Sequence, residues 1–302
     1  MANLRDIRRR IKSVKNTAQI TKAMQMVAAS KMRRAQQAAI NGRPYAQLIN
    51  RVISSVCNSI DPTLHPLLEQ RDGNKELVIL LTTDKGLCGA LNTNVLREAS
   101  ALPVASTQFV SIGRKGTQFL SRTRRKIAAD FPLAEQPAFA QSKQISRFCI
   151  EKFLSGECDK LSILYPRFVN TLTQAPTRLA ILPITGFTDF SQLHVNALSK
   201  IEDIGITADF KPLTPIDGIM EFEPSPKAVL DAIIPAYIHY FIHQTQLASR
   251  ASEQSARMVA MKSATDNAKS LVKDLTLEYN KARQASITNE ILEIATAQLA
   301  LG

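Results

Sequence analysis

The chain has 302 residues, 45% of them hydrophobic, so it can bury a sizeable core in one or two domains, and its formal net charge is +12. Nearly all of that charge lies in residues 1–51, where twelve Lys or Arg accompany one acid, Asp6, while the rest is close to balanced. Four scattered cysteines without CxxC spacing indicate neither a disulfide framework nor a zinc site, and no apolar run approaches the length of a membrane span.

Every proline, and every glycine except Gly302, lies between Gly42 and Pro235. Glycine and proline are the costliest residues in a helix interior, so the breaker-free tracts at the two chain ends predict two long helices flanking a compact middle. The C-terminal tract alone could extend about 100 Å at 1.5 Å per residue. The predicted divisions are residues 1–60, 75–200 and 225–302.

The N-terminal tract carries a seam. Positions 4, 7, 11, 14, 18, 21, 25, 28, 32, 35 and 39 read Leu, Ile, Ile, Val, Ala, Thr, Gln, Ala, Met, Ala and Ala, in strict 3–4 alternation over five heptads. From Ala28 onward the seam is mostly alanine, which lets a partner helix approach closely. Asn3 reads as the N-cap, with Asp6 as a capping-box acid. The Arg residues near this end oppose the helix dipole, a cost accepted more readily where the charge serves a partner. A solvated face usually mixes signs; a one-signed basic helix implies an acidic partner. The seam begins at Leu4, and the start lacks the apolar segment of a secretory signal, so neither a signal nor a transit peptide is expected.

In the middle, residues 76–83 (ELVILLTT) read as a buried parallel strand, followed by the loop DKGLCG and a helix over residues 91–101. Further strands are predicted at residues 108–112, 161–165 and 178–184, with helices at 114–122 and 142–154. Alternation of this kind predicts a small Rossmann-like α/β domain, followed by a linker rich in Pro and acids up to about residue 224. The loop matches neither GxGxxG nor GxxxxGK[ST], so it reads as a tight strand-to-helix turn. His239 and His243 stand at i, i+4 without the acid of an HExxH motif and read as a polar helix face. No catalytic constellation is found; catalytic, cofactor and metal sites are all expected to be absent.

The C-terminal helix is predicted to start at Ser225 as cap with Pro226 first, and to kink near Pro235. Its apolar stripe is read as Leu271, Leu275, Tyr279, Ala282, Ile287, Ile291 and Ile294. Between residues 248 and 268 it is rich in Ala, Ser and Thr. Two small-residue seams at opposite chain ends predict one antiparallel coiled coil.

Residues 7–36 (IRRRIKSVKNTAQITKAMQMVAASKMRRAQ) resemble the N-terminal signature of the gamma subunits of F-type ATP synthases. Residues 81–92 (LTTDKGLCGALN) resemble that family's central motif, and residues 251–268 and 279–294 its C-terminal signatures. The matches occur in the family's order and span nearly the whole chain. The resemblance implies a non-catalytic central rotor stalk, its coil inside a ring of three alpha and three beta subunits. The α/β domain would sit outside against the epsilon subunit and the membrane c-ring. Turning by the ion-driven ring would then couple proton flow to ATP synthesis or hydrolysis in the beta subunits. By motif match, Arg8, Arg9, Lys22 and Met24 on the first helix should touch the alpha/beta ring. So should Arg257, Arg283, Gln284 and Thr288 on the last. The implied location is peripheral, on the cytoplasmic face of a bacterial inner membrane, with an organellar mature form also compatible. Two rivals fit less well. A bZIP-like nucleic-acid binder would separate its basic region from a Leu-rich zipper. A membrane-surface helix would set Trp, Phe or Leu opposite the basic face.

Overall fold

The computed structural model describes residues 4–42, 44–45, 48–49, 52, 65–184, 223 and 225–301. The Asn3 cap, the break around Arg43, Cys57, His194 and nearly all of the 185–224 linker lie outside them. The described elements are α1 (Leu4–Asn41), β1 (Glu76–Leu81), α2 (Leu91–Ala101), β2 (Thr107–Ile112), α3 (Arg114–Arg122), β3 (Lys126–Phe131), α4 (Phe139–Leu154), β4 (Lys160–Phe168), β5 (Gln174–Leu182) and α5 (Pro226–Leu301). They divide into two compact units: residues 29–257, and residues 1–28 with 258–302.

The larger unit is built on a five-stranded sheet of order β3-β2-β1-β4-β5. The first four strands run parallel, and β5 returns antiparallel to β4. β1 is central, and all six of its residues are buried. Its alternate side chains feed two cores. Val78 and Leu80 join Val95 and Ala99 of α2 and Leu120 of α3 on one face. Leu77, Ile79 and Leu81 join Ile145, Cys149 and Phe153 of α4 on the other, together with Leu230, Ile234 and Ile238 of α5. Helices on both faces are why β1 reads as an unbroken apolar run rather than an alternating one.

Two helices fall where the sequence places them, α2 and α3, whereas β3 is absent from the sequence reading. As an edge strand paired only with β2, it buries none of its six residues fully, and KIAADF carries no apolar alternation. β4 and β5 are longer than expected because each runs through a proline. Pro166 and Pro176 face each other across the antiparallel pair, beyond the last β1–β4 partner, Leu164. Two residues without N–H groups are accommodated where the ladder asks neither for a donor. At the β2–α3 turn Gly113 adopts φ of 102°, and a Cβ there would lie 2.3 Å from the Thr82 carbonyl oxygen.

α5 starts as expected: the Ser225 hydroxyl accepts from the Ala228 N–H at 3.3 Å, with Pro226 in the first turn. The helical span continues through Pro235, which lies inside it. Over residues 238–256 nearly every position is buried, polar ones included. Several of these find partners on the elements around them, although the Ser252 hydroxyl does not. Ser142 and Ser146 of α4 pair with His243 and His239, Ser142 also donates to Gln246 (3.0 Å), and Ser255 donates to the Thr171 carbonyl (2.8 Å). Within this unit α1 and α5 run antiparallel, since Gln244 donates to the Ala39 carbonyl (2.7 Å) and Tyr240 to that of Gly42. Gly42 permits this approach: a Cβ there would meet the Tyr240 hydroxyl at 2.6 Å.

Candidate functional site: the two terminal helices

In the smaller unit, residues 4–21 of α1 are shielded only at positions 4, 7, 11, 14, 18 and 21, the predicted seam, and exposed elsewhere. Beyond residue 22 the shielded face widens to include Met24, Ala29 and Gln36, as the helix passes into the larger unit. The partner seam on α5 runs through Met261, Thr265, Ala268, Val272, Leu275, Tyr279, Ala282 and Ser286. The Thr21 and Thr265 hydroxyls meet at 2.7 Å and set the register. Leu275, Tyr279 and Ala282 of the expected stripe lie in the seam, but Leu271, Ile287, Ile291 and Ile294 do not. A 3–4 progression from Thr265 reaches Val272 and Ser286, one step away from Leu271 and Ile287. Hydrophobicity favoured the wrong neighbour in both cases. The displaced residues are exposed instead: Ile287 by 44%, Ile291 by 60% and Ile294 by 64%. Leu277 and Leu292 join them outside, as do Ile20, Met26 and Val27 on α1.

The basic face of α1 is fully displayed. Arg8, Arg9, Arg10, Lys12, Lys15 and Lys22 are exposed, and among the described residues only Arg9 has an acid, Asp6 at 3.0 Å. Both side chains of that pair are more than half exposed, so it adds little stability. Met24 is half-buried, while Arg283, Gln284 and Thr288 are exposed on the outside of the coil. The Thr288 hydroxyl donates to the Gln284 carbonyl at 2.9 Å, so its proton is already engaged inside the helix.

Arg257 is different. Its side chain is only 11% exposed, and it is held by Glu253 at 2.8 Å. It also donates to the carbonyls of Lys85 and Gly86, 3.4 Å each, in the DKGLCG loop. Glu253, 4% exposed, binds Arg250 as well at 2.5 Å, and Arg250 in turn donates twice to the Ala134 carbonyl. One buried carboxylate thus organises two guanidiniums that grip two separate loops. The spacing Arg250, Glu253, Arg257 at i, i+3, i+7 was the available signal for it.

The DKGLCG loop is tied down from within and from above. Asn92 donates to Thr83 Oγ1 (2.7 Å) and to Cys88 Sγ (3.3 Å), and accepts from the Thr83 N–H. Asp84 accepts from the Arg114 N–H at the start of α3, and Ala256 packs on Cys88 and Leu91. Leu87 sits at φ of 64°. The loop is a strand-to-helix turn clamped by α5. Cys88 is buried, and burial pushes its thiol up, away from the reactive thiolate. His239 and His243 are engaged by serines, and burial lowers both pKa values. No group of metal-ligating side chains occurs among the described residues, and no helix of them is long and apolar enough to cross a membrane.

The larger unit is a mostly parallel α/β sheet domain, and the smaller unit is an antiparallel pair of terminal helices with an exposed basic face. The ATP synthase family model matches residues 3–301. The chain is 50% identical over 309 residues to the ATP synthase gamma chain of Methylacidiphilum infernorum, and 48% over 300 residues to that of Opitutus terrae. The alignments cover 100% of both chains in the first case and 99% of both in the second. A chain of the Tetrahymena thermophila mitochondrial ATP synthase central stalk and c-ring structure superposes with a TM-score of 0.60 at 25% identity, covering 81% of this chain and 99% of its own length. One from Euglena gracilis mitochondrial ATP synthase gives 0.63 at 22% identity, covering 99% and 94%, and supports the fold. This chain belongs to the ATP synthase gamma chain family. It is a central-stalk subunit of a membrane-associated ATP synthase complex and is not itself catalytic.

Proposed function

We propose that the coil of α1 and α5 turns inside a ring of three alpha and three beta subunits. The larger unit would then meet an epsilon subunit and an ion-driven c-ring at the cytoplasmic face of a bacterial inner membrane. The functional divisions in this reading are the lever helices, residues 1–60 and 225–302, and the head, residues 75–200. The observation that carries it is the surface of the smaller unit. A face of exposed cations, Arg8, Arg10, Lys12, Lys15 and Lys22, without ion pairs among the described residues, belongs to the same coil as an exposed apolar strip at Ile287, Ile291 and Ile294. Exposed apolar strips of this kind mark contact surfaces, and a one-signed charge field marks an acidic partner. Arg283, Gln284 and Thr288 lie beside that strip and would make contacts that change with rotational angle, coupling angle to nucleotide affinity. Arg257, held inside its own chain, would act by keeping α5 on the DKGLCG loop rather than by touching the ring.

The test is assembly of the chain into a complete ATP synthase complex in membrane vesicles, with its alpha, beta and epsilon subunits and its c-ring. Replacing Arg8, Arg9 and Arg10 by Gln is expected to keep helix content and to lower coupled ATP hydrolysis, more at low salt than at high salt, because exposed charge pairs are screened. Gln284→Leu is expected to slow both synthesis and hydrolysis with the isolated chain still folded. Unchanged rates in both directions for both variants would refute the reading of these residues as ring contacts.

A further inference from the structure

Among the larger unit's cavities, one of about 350 Å³ lies between α1, the loop that joins β3 to α4, and α5. That volume falls within the range of small-molecule sites. Its apolar lining comes from Ala35 and Ala38 of α1, Pro137 of the loop and Leu247 of α5. Three cations line it as well. Lys31 and Arg34 project from successive turns of α1, and Arg250 from α5. Glu135 is the one carboxylate of the lining.

The charges are not equivalent. Arg250 is saturated by Glu253 and the Ala134 carbonyl. Arg34 is exposed and has no ion pair among the described residues. Lys31 is held by the Glu135 carboxylate, in a pair whose side chains are 42% and 69% exposed. A pair so open to water is weak and readily exchanged. Lys31 also holds the Glu135 carboxyl below the usual carboxylate range, so the acid is ionised at neutral pH. Glu135 therefore fills, from the chain itself, part of the place where an external anion would bind.

We propose that this cavity is a binding site for a small phosphate ester. Its dianionic end would be taken by Arg34 and Lys31, its apolar body would lie on Ala38 and Leu247, and Glu135 would be displaced from Lys31. Two cations three residues apart favour a dianion over a single carboxylate, since one carboxylate leaves Arg34 unmatched. Occupancy would pin the 132–138 loop to both long helices, because the loop already contributes Pro137 and the Ala134 carbonyl that Arg250 holds. A ligand would thus stiffen the segment where α1 and α5 enter the larger unit.

The experiment is calorimetric titration of the full-length chain with phenyl phosphate, with inorganic phosphate, benzoate and benzyl alcohol as probes lacking the ring, the second charge or all charge. One-site saturable binding of phenyl phosphate is expected, with each of the other three at least about tenfold weaker, a difference of about 1.4 kcal/mol. Arg34→Gln and Ala38→Leu should weaken phenyl phosphate at least about tenfold, and Arg34→Lys should restore part of the loss. Glu135→Gln should bind about threefold more tightly, because the internal competitor is gone. Thermal melts of the variants separate lost binding from lost fold; the three positions, Arg34, Ala38 and Glu135, are all exposed. Absence of saturation with phenyl phosphate would overturn the proposal. Equal affinity in Arg34→Gln, or no gain in Glu135→Gln, would do so as well.

Discussion

Glu253 is the residue whose loss should be felt most. Its carboxylate is 4% exposed and is shared by two guanidiniums, Arg250 at 2.5 Å and Arg257 at 2.8 Å, themselves 12% and 11% exposed. At an effective dielectric of about 20, a unit pair at such a separation attracts by about 6 kcal/mol, most of which offsets the desolvation of the ions. Removing one partner of a buried pair costs about 3–5 kcal/mol, because the charge left behind has no compensation. Here both cations keep carbonyl acceptors, Ala134 for one and Lys85 and Gly86 for the other, which moderates the loss. Glu253→Ala is therefore expected to destabilise the chain by about 2–4 kcal/mol, and Glu253→Gln, which retains an acceptor oxygen, by about 1–3 kcal/mol. Urea unfolding followed by circular dichroism measures this as a shift of midpoint at constant slope. A double-mutant cycle with Arg257→Gln should return a coupling of about 1–2 kcal/mol. A cost under about 0.5 kcal/mol for Glu253→Gln would show that the carboxylate does not organise the two loops, and the reasoning would fail.

The remaining expectations are shorter. Cysteines at Thr21 and Thr265, whose hydroxyls are 2.7 Å apart, should oxidise to a link within one chain; links found only between chains would refute the intramolecular coil. Gly113→Ala should cost at least about 2 kcal/mol in thermal or urea unfolding, because φ of 102° and the Thr82 carbonyl both oppose a Cβ; an unchanged midpoint would contradict the close approach. The pair His239 and His243 should make stability depend on pH. Burial lowers both below the ordinary imidazole value of 6.5, aided at His239 by Lys143 and Arg147 of α4. The unfolded chain thus binds more protons than the folded one just below pH 6.5, so stability is complete above that value and falls as the pH drops beneath it. Replacing both by Gln should flatten the urea midpoint between about pH 7 and 5, and an equally steep profile would place the dependence elsewhere.

Much of this architecture is legible one residue at a time. The α1 seam follows from a 3–4 spacing that any close partner must respect, and each of its positions from Leu4 to Ala39 is shielded in the structure. β1, α2 and α3 follow from runs whose period and boundaries are local, and the start of α5 from the chemistry of Ser225 and Pro226. Three things required the tertiary structure. β3 is a strand because β2 offers it an edge, not because KIAADF favours one. The α5 seam passes through Val272 and Ser286 because Thr265 is locked to Thr21, and phase outweighs the greater hydrophobicity of Leu271 and Ile287. Arg257 lies on the same helix as Arg283, but it is buried against Glu253 and the DKGLCG loop, whereas Arg283 stays in solvent. Local pattern determines what a segment can form; which face it buries, and which of its charges find partners, is decided by residues distant in sequence, whose approach no local spacing encodes.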